Sequence, residues 1–377
     1  MKVRAVSWLL AAALAVVAVD ADAAAATDAR PEDRSVLRQA LDELVADGAA
    51  GALAELRDDH GTWGGTSGIA ELGTARPVPA AGRFRAGSIV KTFMATVVLQ
   101  LVGEGQLRLD DTVERWLPGL VPDGTRITVR HLLNHTSGLY DYLGDLPLHD
   151  PAALVNIRWR TWEPRELVRL ATAHRPLFEP GAGWSYSSTN YIVIGLLVQQ
   201  VTGQPYGTEV QRRIIRPLQL RGTAMPGTYP RIRGPHPHGY LLAVVDGHPN
   251  PVDITAFNPS VAGASGELIS TAADLNRFFA ALAGGRLLRE ALWREMITPT
   301  PPAEQYGLGL MRWELPCGVT AYGHTGDFVG YSSLSAVTAG ARRSLTVAVT
   351  WGTAVPDDLD AVLTKAFCPP AAPAGSA

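Results

Sequence analysis

Ser88 and Lys91 stand three residues apart in Phe84-Arg85-Ala86-Gly87-Ser88-Ile89-Val90-Lys91, at the opening of an apolar run that carries Met94, Val97, Val98 and Leu101. Residues three apart on a helix share a face, so the hydroxyl and the amine come within reach of each other. A serine hydroxyl is a poor nucleophile until a base takes its proton, and a lysine stripped of water can be neutral enough to do so. Alone, the spacing also describes a helix cap followed by a surface lysine. Two later segments argue for chemistry. Gly183-Trp184-Ser185-Tyr186-Ser187-Ser188-Thr189-Asn190-Tyr191 heads a second apolar helix, and Tyr322-Gly323-His324-Thr325-Gly326-Asp327 reads as a strand. His131 and His135 have the i, i+4 spacing of a zinc pair, but no glutamate follows His131, and the segment reads as a structural helix and turn. Gly263-Ala264-Ser265-Gly266 does not carry glycine two residues to either side of its serine, as a nucleophile elbow requires. No metal and no cofactor are expected.

Positioning these residues requires a scaffold. Helical spacing runs over residues 32–47, strands are expected at 51–57 and 62–72, and the chain turns helical from Ser88. From about 110 to 253 it is rich in Pro and Trp, with short helical patterns at 164–173, 190–201 and 208–215 and few strands. A helix at 271–282 leads to extended segments at 306–314, 322–336 and 343–351, and a terminal helix is expected at 357–367. This order predicts an α/β (α+β) fold, in which an antiparallel sheet flanked by helices is assembled from both ends of the chain and a mostly helical lobe is inserted. The cleft between them is the expected ligand site.

Lys plus Arg (33) against Asp plus Glu (36) leaves a net charge of -3, so no basic field exists to hold a phosphate backbone and a nucleic-acid partner is not expected. With 46% hydrophobic and 18% charged residues the composition is globular. Lys2 and Arg4 precede an apolar stretch at 6–19, followed by small-residue sites at Ala21-Asp22-Ala23 and Ala24-Ala25-Ala26. That pattern predicts a signal peptide over 1–26 rather than a membrane anchor, and hence a secreted chain. One domain is expected over 27–369, with a flexible tail at 370–377, and the protein is expected to be a monomer. In an oxidising compartment the two cysteines, Cys317 and Cys368, are expected to pair.

In order along the chain, Ser88-x-x-Lys91, Tyr186-x-Ser188 and His324-Thr325-Gly326 resemble the three motifs of the serine β-lactamase and penicillin-binding-protein superfamily. The nearest branch is that of class C β-lactamases and actinobacterial D-alanyl-D-alanine carboxypeptidases, and His-Thr-Gly in place of Lys-Thr-Gly points to the carboxypeptidases. Residues 127–139 and 262–275 extend the likeness over the whole mature chain. The resemblance implies that Ser88 is the acylated nucleophile, Lys91 its base or proton relay, and Tyr186 the shuttle that protonates the leaving atom and activates water. It implies further that His324 and Thr325 orient substrate, and that the backbone N–H groups of Ser88 and Asp327 form the oxyanion hole. Gly326 would let substrate backbone lie against the strand edge.

Two positions depart from the pattern. Ser188 stands where the family has asparagine, and a hydroxyl cannot offer both an amide donor and an amide acceptor. The shifted reading Ser188-Thr189-Asn190 would restore the asparagine. Asp327 places a carboxylate on the face of Thr325, where a carboxypeptidase holds its substrate's anionic end. Arg312, on the preceding strand, is a candidate partner either for Asp327 or for substrate. The expected function is hydrolysis through an acyl-enzyme, of D-alanyl-D-alanine carboxypeptidase type on peptidoglycan-like peptides. Esters, β-lactams and D-amino-acid amides are alternative substrates, and a non-catalytic penicillin-binding sensor or scaffold is an alternative role.

Overall fold

In a computed structural model, residues 31–368 are described, apart from 149, 246–247 and 357. The expected signal peptide and C-terminal tail lie outside the described residues. The chain begins with α1 (Pro31–Ala46), β1 (Ala49–Asp58), β2 (Gly61–Gly68), β3 (Phe84–Gly87) and α2 (Val90–Gly103). A long insert follows, with α3 (Val113–Trp116), α4 (Val129–Leu133), α5 (Pro151–Ile157), α6 (Pro164–Thr172), α7 (Ser188–Thr202), α8 (Tyr206–Val210) and the hairpin β4 (Tyr240–Val245) to β5 (His248–Asp253). The chain then returns through β6 (Leu268–Ser270), α9 (Ala272–Ala283), α10 (Glu290–Ile297), β7 (Met311–Glu314), β8 (Thr320–Phe328), β9 (Tyr331–Thr338), β10 (Ser344–Trp351) and α11 (Leu359–Phe367).

The main sheet has the order β2-β1-β10-β9-β8-β7, so its two strands from the start of the chain join four from the end. Their seam is the antiparallel pair of β1 and β10, with Leu53 opposite Ala348. The mixed α/β architecture built on an antiparallel sheet is therefore the one expected. Both faces are covered. Leu37, Leu41 and Leu44 of α1 lie on one helical stripe and join Val362, Leu363 and Phe367 of α11 against one face. The other face is sealed by α9 and α2, which carry the larger core into the insert through Phe93, Val97, Phe278 and Leu282. Cys317 and Cys368 are bonded, with Cα atoms 5.7 Å apart, and tie the end of α11 to the turn before β8. This bond is compatible with export. No described helix is long and apolar enough to cross a membrane.

Several elements, such as α10, were not expected, and two segments differ in ways that bear on the site. The hairpin β4–β5 lies in a region read as helical, although an apolar run and an Asp246-Gly247 dipeptide carry the sequence signal of a hairpin. Of the extended segment expected at 306–314, only Met311–Glu314 joins the sheet. Gly309 has φ +70°, and its N–H donates to the carbonyl of Leu133 while its own carbonyl accepts from Thr92 Oγ1 at 2.8 Å. The backbone before β7 is thus drawn beneath α2, and this places Tyr306 behind the cleft.

Candidate active site

The nucleophile candidate sits at a sharp bend. β3 runs into Gly87 at φ +52°, a conformation that a side chain would strain, and Ser88 follows at the half-buried turn before α2. A Cβ on Gly87 would lie 2.4 Å from the carbonyl oxygen of Asp327 and 2.7 Å from its nitrogen, so β3 and β8 are in backbone contact here. Gly326 serves the same contact. Its Cβ would meet the carbonyl oxygen of Ala86 at 2.0 Å, so the glycine makes room for the nucleophile's own strand rather than for substrate.

Lys91 is fully buried on the first turn of α2, and its Nζ lies 2.9 Å from Ser88 Oγ and 2.7 Å from the carbonyl oxygen of Ser265. Burial draws its pKa down to about 7, while the charges of Asp141 and Asp327 oppose that shift. A neutral amine donating to the Ser265 carbonyl keeps its lone pair for the Ser88 proton. The segment Gly263–Ser265, set aside as a nucleophile elbow, therefore supplies the acceptor that orients the Lys91 amine.

Tyr186 enters just before α7, with its ring 4.3 Å from that of His135 and its centroid 4.9 Å from Lys91 Nζ. Burial pushes the phenol's pKa up, and hydrogen bonding with Ser88 partly opposes this, so the phenol keeps its proton at neutral pH. Ser188 is buried at the start of α7, and its backbone N–H donates to the carboxylate of Asp141. The Asp141 pKa is raised by burial and lowered by that bond, by the Leu143 N–H at 3.1 Å and by Lys91. Asn190 is turned away from Ser88. Its Oδ1 accepts from Ser137 Oγ at 2.6 Å and its Nδ2 donates to His135 Nδ1 at 3.1 Å, so the amide is engaged on the His135 side.

Sequence reasoning missed Asp141, Tyr306 and the true place of His135. His131 closes a capping box with Thr128 at the start of α4, whereas His135 is buried at φ +62° beneath Tyr186. Its Nδ1 also accepts from Ser187 N at 3.1 Å. No group of His, Cys, Asp or Glu suited to a metal ion occurs among the described residues. The alternation of β8 was the available signal for Tyr306, because it turns His324 inward, where Nε2 accepts from Tyr306 Oη at 2.8 Å. With the carbonyl of Thr325 facing Nδ1, the proton resides on Nδ1. Burial and the Lys91 charge depress the His324 pKa to about 3, so it is a neutral residue that meets Tyr186 only ring to ring, with centroids 6.3 Å apart.

Thr325 shares the opposite face of β8 with Asp327, and its Oγ1 lies 3.6 Å from Met311 Sδ. The Asp327 carboxylate is reached from solvent and is pinned by Ser332 Oγ at 2.7 Å, which also accepts from Trp351 Nε1 at 2.9 Å. Surrounding protein raises its pKa, against the Ser332 bond and the Lys91 charge. Asp327 is the one ionisable side chain among the described residues lining a cavity of about 520 Å3, whose walls include Leu143, Leu154, Leu241, Phe257, Phe328 and Trp351. Arg312 does not reach it. Arg312 stands opposite Tyr322, an odd five residues from Asp327 and so on the other face of β8, and its guanidinium is paired with Glu314 at 2.5 Å. Of the two partners left open for Arg312, Asp327 or substrate, Asp327 is excluded on that ground.

In sequence and structure the chain is similar to known hydrolases and penicillin-binding proteins. A D-stereospecific amidohydrolase from Streptomyces sp. superposes with a TM-score of 0.82 at 43% identity, covering 89% of this chain and 98% of that one. Penicillin-binding protein 4 of Amycolatopsis lactamdurans is 31% identical over 73% of this chain and 74% of its own length. Esterase EstB of Burkholderia gladioli is 35% identical over 58% of this chain and 55% of its own. The chain spans less than two thirds of the first curated relatives it matches. The Beta-lactamase family profile matches residues 37–366, nearly the whole described chain, and the protein belongs to that family of hydrolases.

Proposed function

We propose that this protein hydrolyses amides and esters of amino acids that carry a free α-ammonium group and a large apolar side chain, through an acyl-enzyme on Ser88. The observation that carries this reading is the solvent-reached carboxylate of Asp327, the one ionisable group among the described residues that line an apolar cavity, with Arg312 paired elsewhere. Such a site attracts a cation and accommodates a hydrophobic side chain. A carboxypeptidase needs the opposite charge there. The similarity to a D-stereospecific amidohydrolase supports the D configuration.

In this mechanism Ser88 Oγ attacks the substrate carbonyl while Lys91 Nζ takes its proton. The backbone N–H groups of Ser88 and Asp327, brought together by the contact at Gly87, stabilise the oxyanion. Tyr186, still a phenol, hands its proton to the leaving nitrogen and is reprotonated by the ammonium of Lys91. Water then attacks the ester by the reverse relay, releasing the acid and restoring Ser88.

The test compares D-phenylalanine amide, its N-acetyl derivative and an N-acylated peptide ending in D-Ala-D-Ala. The free amine should be preferred over its acetylated form by roughly tenfold or more in kcat/KM, about 1.4 kcal/mol. Faster turnover of the D-Ala-D-Ala peptide would overturn this reading and restore the carboxypeptidase expectation.

A further inference from the structure

Away from the catalytic cleft, charge is unevenly distributed. Residues 210–245 contain six arginines and no aspartate or glutamate, in a chain whose formal net charge is -3. Arg212 and Arg213 are neutralised by Glu209 and Glu104. Arg221, Arg231 and Arg233 converge with Arg83 on a separate cavity of about 390 Å3, whose wall also includes Thr223 and Tyr229. Arg83 holds the two arms of this loop together by donating to the carbonyls of Arg233 and Arg221, the latter at 3.1 Å. The Arg233 guanidinium lies 4.8 Å from the ring centroid of Tyr229. Among the described residues, none of these four arginines has a carboxylate at ion-pair distance. The nearby acids are committed inward. Asp274 accepts from Gly222 N at 2.7 Å and Thr223 Oγ1 at 2.8 Å, and Glu267 accepts from Gly227 N at 2.8 Å. This cavity shares no wall residue with the one that holds Asp327.

The geometry points to this four-arginine cavity as a binding site for a phosphate group, borne by a small phosphate ester or by a lipid headgroup. Four like charges gathered without a counter-ion repel one another, and an anion in their midst removes that repulsion. Guanidinium forks match oxyanions bidentately. With Arg83 engaged by the loop carbonyls, the forks of Arg221, Arg231 and Arg233 remain; one carboxylate offers two oxygens, too few for three forks, whereas a terminal phosphate offers three around a tetrahedral centre.

Titration calorimetry of the full chain with pyrophosphate, near physiological ionic strength to suppress weak surface attraction, tests the site. Wild type should bind one equivalent, and the double variant Arg221→Gln with Arg233→Gln should bind at least tenfold more weakly. A control double variant at the exposed Arg165 and Arg175, also to Gln, removes the same charge elsewhere and should bind as wild type does. Matching thermal unfolding and circular dichroism of both variants exclude a folding defect. Co-sedimentation with vesicles of anionic phospholipid identifies the source. Capture that the Arg221/Arg233 variant loses assigns the phosphate to a headgroup, while pyrophosphate binding without capture assigns it to a soluble ester. Equal weakening in the control variant, or binding of neither probe by wild type, overturns the proposal.

Discussion

Lys91 at neutral pH is divided between amine and ammonium, because burial draws its pKa from 10.5 to about 7 against the pull of Asp141 and Asp327. Only the amine can accept the Ser88 proton. The acylation rate on an uncharged ester should therefore rise with pH, tenfold per unit on the acid side, and level off above about 7. Asp327 favours the ammonium form, so Asp327→Asn should move that limb to lower pH; a shift to higher pH would contradict the assignment. Lys91→Met should lower kcat by about 10²–10⁴-fold, the usual yield of a positioned base. Intact-protein mass spectrometry with an uncharged fluorophosphonate should find one adduct, absent in Ser88→Ala. Asp327→Asn should also cost an aminoacyl amide about 1.5–3 kcal/mol, roughly 10- to 150-fold in kcat/KM, relative to the uncharged ester measured beside it. The pair Ser88 and Lys91 was legible in the sequence because helical spacing is local. Asp141 was not, since it stands 50 residues from Lys91 and meets it only through the approach of the insert to α2.

The bend between β3 and α2 concentrates the demands on secondary structure. Gly87→Ala would combine a left-handed backbone with a Cβ 2.4 Å from Asp327, so β3 must separate from β8 and the Ser88 and Asp327 N–H groups must diverge. Strain of this kind costs about 1–3 kcal/mol, and kcat for a neutral ester should fall with little change in helix content by circular dichroism. The disulfide gives the opposite pattern. Replacing Cys317 and Cys368 together by Ser should lower stability by about 2–5 kcal/mol, measured by denaturant unfolding, with kcat unchanged. The bond closes on α11, beneath the sheet face turned away from the cleft. The main strands and long helices were legible because period-two and period-3.6 patterns survive in the sequence. The stretch before β7 was not, because the contacts of Gly309 with Leu133 and Thr92 outweigh its extended pattern.

Over the whole molecule, the cleft and the larger core share buried ionisable groups, and acid stability should report them. His324, depressed by burial to about 3, and His135, also held well below its usual range, stay neutral when folded but take protons near 6.5 when unfolded. Their stabilising effect is present above that pH and is lost as pH falls, by up to about 1.4 kcal/mol per unit for each histidine. Glu267 has the opposite sign. Burial raises it to about 7, so its contribution is complete below 4.5 and is lost as pH rises through 7. Denaturant unfolding from pH 4.5 to 6.5 should consequently show a steeper rise of stability with pH in Glu267→Gln than in the parent, and a shallower one in His324→Asn. The sequence by itself determined the antiparallel architecture, the ordered motifs and their resemblance, since these depend on local periodicity and on residue identity at fixed spacing. Only the tertiary structure decided which charges meet. Strand register sends Arg312 to Glu314 and leaves Asp327 as the one ionisable side chain among the described residues lining an apolar cavity, and burial of the Lys91 region between the sheet and the insert moves the proton equilibria on which the proposed chemistry depends. Register is set by how β7 pairs beside β8, and the desolvation of Lys91 by contacts such as that with Ser265, 174 residues away; residue spacing carries no direct signal of either.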